Sequence, residues 1–412
     1  MEAFRQQYPY ACNLRRSCKS RDPVVRYTEK RARKPDIVYV SGTQKYIMSA
    51  APTALAELNP WEESKELGTG ATASVRLATT KGQDARHYAI KVVEKAKIVG
   101  QSQLTRLFRE KDLLNAVDHP SIVTFHATFK DESHLYFLLE LLPGGELLWH
   151  MRRDKRCRVA TADARLTLGT LLLPLQYLYE QSILYRDLKP TNILFTASGR
   201  LKLVDFGHAK RIEGAVSEER STSVCGTPHY HAPEMVRGEG HGLPAQLWAL
   251  GVLLVEMLSG RPPFWEGGGF PPLKEQILAA EPDLIPMPEQ ARELARDLLL
   301  ADPQARVAAF ARGGGGAGGS GDGDGGGGGG DDGASGGGDE GGSGSGGCGY
   351  AGVKAHPWLA SLDWGAIESG TLVPNFEFSL HVAQVVGEEK EPSEGGGGDE
   401  DVQSMSAVFQ DF

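Results

Sequence analysis

Within the run Tyr185-Arg-Asp-Leu-Lys-Pro-Thr-Asn192 stand a carboxylate, an amine and a carboxamide: Asp187, Lys189 and Asn192. A second carboxylate follows in Asp205-Phe-Gly207, and Ala232-Pro-Glu234 closes the series. A carboxylate in the place of Asp187 can take the proton of an attacking hydroxyl, and Lys189 can sit beside a migrating phosphate. Asn192 and Asp205 are suited to hold two magnesium ions bridging phosphate oxygens. The chemistry this set would perform is phosphoryl transfer, which depends chiefly on positioning and charge. Any one of these carboxylates also reads as a loop cap; the ordered set carries the chemical reading.

Two upstream stretches bear on the same chemistry. In Leu67-Gly-Thr-Gly-Ala-Thr-Ala-Ser-Val75, Gly68 and Gly70 permit a hairpin whose N–H groups approach phosphates. By itself this is equally a glycine-rich hairpin without a ligand. In Tyr88-Ala-Ile-Lys-Val-Val93 the alternation predicts a strand with Lys91 on the same face as Ala89 and Val93. That lysine is either an exposed edge residue or a half-buried charge in need of a partner. Over 101–117, Leu104, Leu107, Leu114 and Val117 recur at helical spacing, which puts Glu110 on the apolar face. A Lys91–Glu110 ion pair answers both and aims Lys91 at the α- and β-phosphates.

The elements around these residues fall into four regions. Residues 1–58 form a basic extension, with 11 Lys/Arg against 4 Asp/Glu in the first 50. Residues 59–142 alternate like strands with one helix, 143–358 are mostly helical in pattern, and 359–412 form a tail. The stretch 313–349 holds 24 Gly and 6 Asp/Glu with no Lys or Arg, a composition that predicts a disordered surface insert. A helix is predicted over about 162–180, with Gly169 and Pro174 inside it and a kink at the proline. The net charge of -9 argues against a general nucleic-acid binder. Five scattered cysteines point to free thiols, and no apolar run suits a signal peptide or a membrane span. The expected location is the cytoplasm, and in addition the nucleus.

From about Trp61 to Phe412, leaving out the insert, the chain resembles the AGC group of eukaryotic protein kinases. Within it, the likeness is to catalytic subunits of cyclic-AMP-dependent kinases. The carriers are Leu67-Gly-Thr-Gly70, Leu184-Tyr-Arg-Asp-Leu-Lys-Pro190, Val204-Asp-Phe-Gly207 with Ala209-Lys210, Cys225-Gly-Thr-Pro228, Trp248-Ala-Leu-Gly-Val252 and the final Phe409-Gln-Asp-Phe412. The resemblance implies an α+β, bilobal fold: a small β-rich lobe with one regulatory helix and a large helical lobe. It implies ATP and two magnesium ions as cofactors, and Ser/Thr rather than Tyr as acceptor, from Lys189-Pro190 and Thr227. The ATP site would comprise Leu67, Gly68, Thr69, Gly70, Ala71, Thr72, Ala73, Ser74 and Val75, with Lys91 on the phosphates and Val75, Ala89, Leu139, Glu140, Leu142 and Leu194 around the base. Glu146 would meet the ribose. Asp187, Lys189, Asn192, Lys91 and Glu110 would be catalytic, and Asn192 and Asp205 the metal ligands.

The same resemblance places an activation-loop phosphosite on Ser223, with Arg220 three residues before it and Arg186, Lys210 and Arg106 around the phosphate. It implies protein substrates with Arg at position -3, with Glu146 and Glu256 as the acids facing positions -3 and -2 and Thr227 also in the substrate site, and a cyclic-AMP-binding regulatory subunit as partner. Several positions depart from the pattern. Ala73 replaces a third glycine, Thr191 and His229 replace glutamates, His231 replaces an apolar residue beside the acceptor, and Gln246 replaces an aspartate that holds the catalytic-loop backbone. The tail has an acidic stretch, Glu388 to Glu394, where the group carries Phe-Asp-Asp-Tyr. Arg306, just before the insert, is expected to pair with Glu234. Two other readings stand beside this one: a weakly active pseudokinase acting as a scaffold, and another AGC subfamily such as the cyclic-GMP-dependent kinases. For those, the roughly 60 residues before the core leave too little chain for a nucleotide-binding domain.

Overall fold

Strand-forming sequence is concentrated before residue 141 and helix-forming sequence after it, and the chain separates accordingly into two lobes. The computed structural model describes residues 37–38, 46–47, 55–59, 64–70, 73–81, 85–212, 225–265, 271–284, 286–311 and 348–378. Two short strands, β1 (Ile37–Val38) and β2 (Tyr46–Ile47), pair antiparallel ahead of the small lobe. The small lobe is a five-stranded antiparallel sheet. Its strands are β3 (Glu66–Thr69), β4 (Ala73–Thr79), β5 (His87–Glu94), β6 (Phe125–Lys130) and β7 (His134–Glu140), in the order β3-β4-β5-β7-β6. The period-2 alternation of β5 sorts its side chains as expected. Tyr88, Ile90 and Val92 join Leu58, Tyr136 and Leu138 in a small core on one face, while Val93 packs with Phe137 and Leu135 on the other. Lys91 shares that second face, opposite Val75 on β4 and Phe137 on β7. Helix α1 (Gln101–Ala116) covers it, burying Leu104, Leu107, Glu110, Leu113 and Leu114 along one stripe.

The large lobe is built on two apolar helices, α3 (Thr161–Glu180) and α5 (Leu243–Ser259). The seven-residue helix α2 (Leu147–Arg153) precedes them, and α4 (Pro233–Arg237) lies between. Almost every side chain of α5 is buried, from Leu243 to Leu258, and Trp248 stacks on Phe264 at 5.4 Å. Helix α3 runs through Pro174 without interruption. A Cβ at Gly169 would stand 2.5 Å from Leu362 Cδ1, so the glycine lets that side chain of the returning segment pack close to α3. Helix α6 (Leu273–Ala279) packs against α4, and α7 (Glu289–Leu298) and α8 (Pro303–Ala308) pack against α5. Beyond the glycine-rich stretch, α9 (Cys348–Ala355) and α10 (Trp364–Glu368) return to α3, burying Tyr350, Val353, Trp358, Leu359 and Ile367. Four short strands, β8 (Ile183–Leu184), β9 (Ile193–Phe195), β10 (Leu201–Leu203) and β11 (Lys210–Arg211), frame the catalytic residues as two antiparallel pairs, β9–β10 and β8–β11. Among the described residues no helix is long and apolar enough to cross a membrane. Of the insert 313–349, only its last residues fall within the description.

Candidate active site

The ion pair expected from the helical stripe forms. Lys91 Nζ donates to Glu110 Oε1 at 2.6 Å, and Asp205 Oδ1 of the large lobe lies 3.8 Å from the same ammonium. Burial alone would lower the Lys91 pKa, but the Glu110 and Asp205 carboxylates outweigh it and hold the lysine charged. Burial pushes Glu110 up, against the pull of Lys91. Asp205 has a left-handed backbone, φ 57°, that turns its carboxylate toward the cleft, where it is exposed. Burial works against its ionised form, yet Lys91, the Gly207 N–H at 3.2 Å and Lys189 together leave its pKa lowered.

Asp187 sits at the far side of the cleft, 3% exposed. Lys189 Nζ donates to its Oδ2 at 2.7 Å, Asn192 Nδ2 to its Oδ2 at 2.9 Å and to its backbone oxygen at 2.8 Å, and Thr227 Oγ1 to its Oδ1 at 3.3 Å. Arg186, the residue before it, has φ 68°, and its Nε donates to His208 O at 2.7 Å. Gln246, on α5, supplies the anchor at the aspartate's place: its Oε1 accepts from Tyr185 N at 2.9 Å.

Above this, β3 and β4 close a hairpin with Gly70 N donating to Ala73 O at 2.8 Å. Neither Gly68 nor Gly70 has a positive φ, and a Cβ at Gly68 would meet nothing within 4 Å. The fold does not itself require a glycine at position 68. Leu67, Gly68, Thr69, Ala73, Ser74 and Val75 lie on this hairpin, while Ala71 and Thr72 lie outside the described residues. Ala89 is paired with Leu139 across β5 and β7. Leu142 is buried, and Glu146 bridges to Leu194 where the large lobe begins.

Toward the substrate side, Glu256 is 3% exposed and accepts from the Tyr230 hydroxyl. Burial pushes its carboxyl up to about 7, against the Tyr230 hydrogen bond and the Arg152 charge. Glu146 is likewise pushed up to about 7 by burial, with Arg152 opposing. Arg186 is crowded by burial and by the Arg109 and Arg106 charges, which push its pKa down. Arg106, Arg186 and Lys210 were expected together. Arg109 was not, although its spacing of three from Arg106 on α1 puts them side by side. Ser223, Arg220 and the terminal Phe409–Phe412 lie outside the described residues.

Two further features escaped the sequence. Glu140 is tied down by Lys202 Nζ at 2.8 Å and by Thr124 N and Oγ1 at 3.1 and 2.9 Å, which links the segment joining the lobes to β10. The returning tail seats Phe376 and Phe378 against His150 and Phe195, with Glu377 paired to Arg153. No local pattern marks either, because the partners are far apart in sequence. The Arg306–Glu234 pair forms at 2.8 Å.

Residues 61–311 match the family described as protein kinase domain. The chain is similar to a cAMP-dependent protein kinase catalytic subunit of Dictyostelium discoideum, at 37% identity over 63% of this chain. It is also similar to the human cAMP-dependent protein kinase catalytic subunit PRKX, at 32% over 77%, and to a cGMP-dependent protein kinase of Drosophila melanogaster, at 36% over 60%. The matched stretch covers 39% of the Dictyostelium protein and 26% of the Drosophila one, less than half of either, and 76% of the human one.

Proposed function

The chain belongs to the protein kinase family, in its AGC group, and from that premise we propose that it transfers the terminal phosphoryl group of ATP to Ser or Thr of other proteins, favouring Arg at position -3. The observation that carries this is the Lys91–Glu110–Asp205 cluster, with contacts of 2.6 and 3.8 Å, which joins the two lobes across the cleft. Lys91, held cationic, binds the α- and β-phosphates, and Glu110 fixes where its ammonium points. Asp187 receives the acceptor hydroxyl's proton, and Asn192 and Thr227 hold its two oxygens in place. Lys189, on the same carboxylate, is within reach of the transferred group. Glu146 and Glu256, the latter buried, are the acids that take the substrate arginine.

The metal positions suit magnesium. Among the described residues there is no cluster of three His, Cys, Asp or Glu, so an ion here would draw its remaining ligands from phosphate and water, as magnesium prefers. Two magnesium ions, held by Asp205 and Asn192, would neutralise charge on the phosphates. The names of the cAMP-dependent relatives support a cyclic-AMP-binding regulatory subunit as partner. Phosphorylation of Ser223, paired with Arg186, Arg106 and Lys210, is the proposed activating step. The free thiols Cys157 and Cys225 suit the cytoplasm or nucleus.

The test is transfer of radiolabelled phosphate from ATP to an arginine-containing peptide. Incorporation is expected, and Asp187→Asn should lower kcat by about 10²- to 10⁴-fold. Full activity in that variant, or no transfer by the unaltered chain, rejects the proposal in favour of a scaffold.

A further inference from the structure

A carboxamide in the place of a carboxylate brings a problem of its own. Gln246 is 6% exposed, and its oxygen already accepts from Tyr185 N. Its nitrogen carries two donors that an aspartate would lack, in a place where burial makes an unmatched donor costly. The nitrogen donates to the Tyr350 hydroxyl at 3.3 Å. Tyr350 is 1% exposed, its ring lies edge-on to Tyr179 of α3 at 6.0 Å, and it is the first large side chain after the glycine-rich stretch. The two contacts on Gln246 are complementary. The Tyr185 N–H accepts no hydrogen bond, so the amide oxygen must face it, and the nitrogen is then left facing Tyr350. Gln246 also lines a cavity of about 30 Å³ between the catalytic segment, Thr227–His231 and α5. A side chain released by Tyr350 has that space to move into.

We propose that Tyr350 is a positioning residue of the catalytic segment: by accepting from Gln246 it fixes the carboxamide that holds Tyr185, and through Tyr185 the place of Asp187. The inference rests on the kinase reading. It also makes Gln246 and Tyr350 a pair in which each residue makes sense of the other. The phenol serves as a neutral hydroxyl throughout, because burial pushes its ionisation far up.

The test uses the full chain with Tyr350→Phe, Gln246→Asp and the double variant. Tyr350→Phe is expected to lower kcat by about threefold to tenfold, with the KM for ATP and for peptide within about twofold of the unaltered chain. In the Gln246→Asp background, where the side chain brings no donor, the same change should alter kcat by less than about twofold. Hydrogen exchange at the Tyr185 amide should quicken by about tenfold in Tyr350→Phe, while Leu184, in the β8–β11 ladder, stays unchanged. An equal loss of kcat in both backgrounds, no loss in either, or unaltered exchange at Tyr185 overturns the proposal. If the unaltered chain transfers no phosphate, the kinase reading fails separately, and Tyr185 exchange still decides whether Tyr350 holds the segment.

Discussion

Glu146 and Glu256 are two acids whose protonation lies near physiological pH. Both carboxyls are raised from 4.5 to about 7 by burial, so in the free protein they lose their negative charge as pH falls through 7. The KM for a peptide with Arg at -3 and -2 should therefore fall as pH rises from 6 to 8 and level off above, while a peptide lacking those arginines shows a flat profile. A flat KM profile for the arginine peptide would count against these two as its partners. The sign for stability is the opposite. The folded state binds more protons than the unfolded one between about pH 4.5 and 7, so these two groups favour folding at the acid end of that window and less so toward neutrality. Asp187, Asn192, Lys91 and Glu110 were readable beforehand because each stands in a short run or on a helical stripe. Lys202 and Arg109 were not: a surface cation and a buried one look alike until the fold brings their neighbours near.

At the scale of elements, α4 and α8 are locked by one buried ion pair, with α5 held to the same guanidinium. Arg306 is fully buried, pairs with Glu234 and donates to Leu300 O and Pro244 O at 2.9 and 2.8 Å, with its guanidinium 5.0 Å from the Trp248 ring. Removing one partner strands the other, so Glu234→Gln should cost about 3–5 kcal/mol of stability, read from denaturant unfolding. A loss below 1 kcal/mol would show that the pair is dispensable. The extents of β5, α1 and α3 were legible to within a residue or two, because period-2 and helical apolar spacing set them. The β8–β11 and β9–β10 pairs were not, since two- and three-residue strands carry no periodicity of their own. Pro174 lies inside α3, which spans Thr161–Glu180 around it, packed against α5, α9 and α10, whose burial offsets the one hydrogen bond the proline cannot make.

At the scale of the whole molecule, the glycine-rich stretch joins two firmly placed points: α8, held by Arg306, and α9, held by Tyr350 and Val353. Closing a loop of this length costs little more than closing a short one. Replacing residues 313–347 with about nine should therefore stabilise the chain by only on the order of 1 kcal/mol and leave phosphate transfer unchanged. A large change in thermal midpoint would mean the stretch takes part in folding. The two-lobed plan was legible from the switch between strand-like and helical patterning. How the tail returns was not, because its contacts are made with rings more than 150 residues away in sequence.

The family match ends at residue 311, but the hydrophobic interior does not. Tyr350, Val353, Trp358, Leu359 and Ile367 are each at most 4% exposed, set against α3 and α5. A fragment trimmed to the recognisable family boundary would open a greasy scar along the floor of the large lobe and would tend to clump. The smallest autonomous piece of this protein therefore reaches past the glycine-rich stretch, which makes that stretch an interior passage of the folding unit and not a tether between two of them.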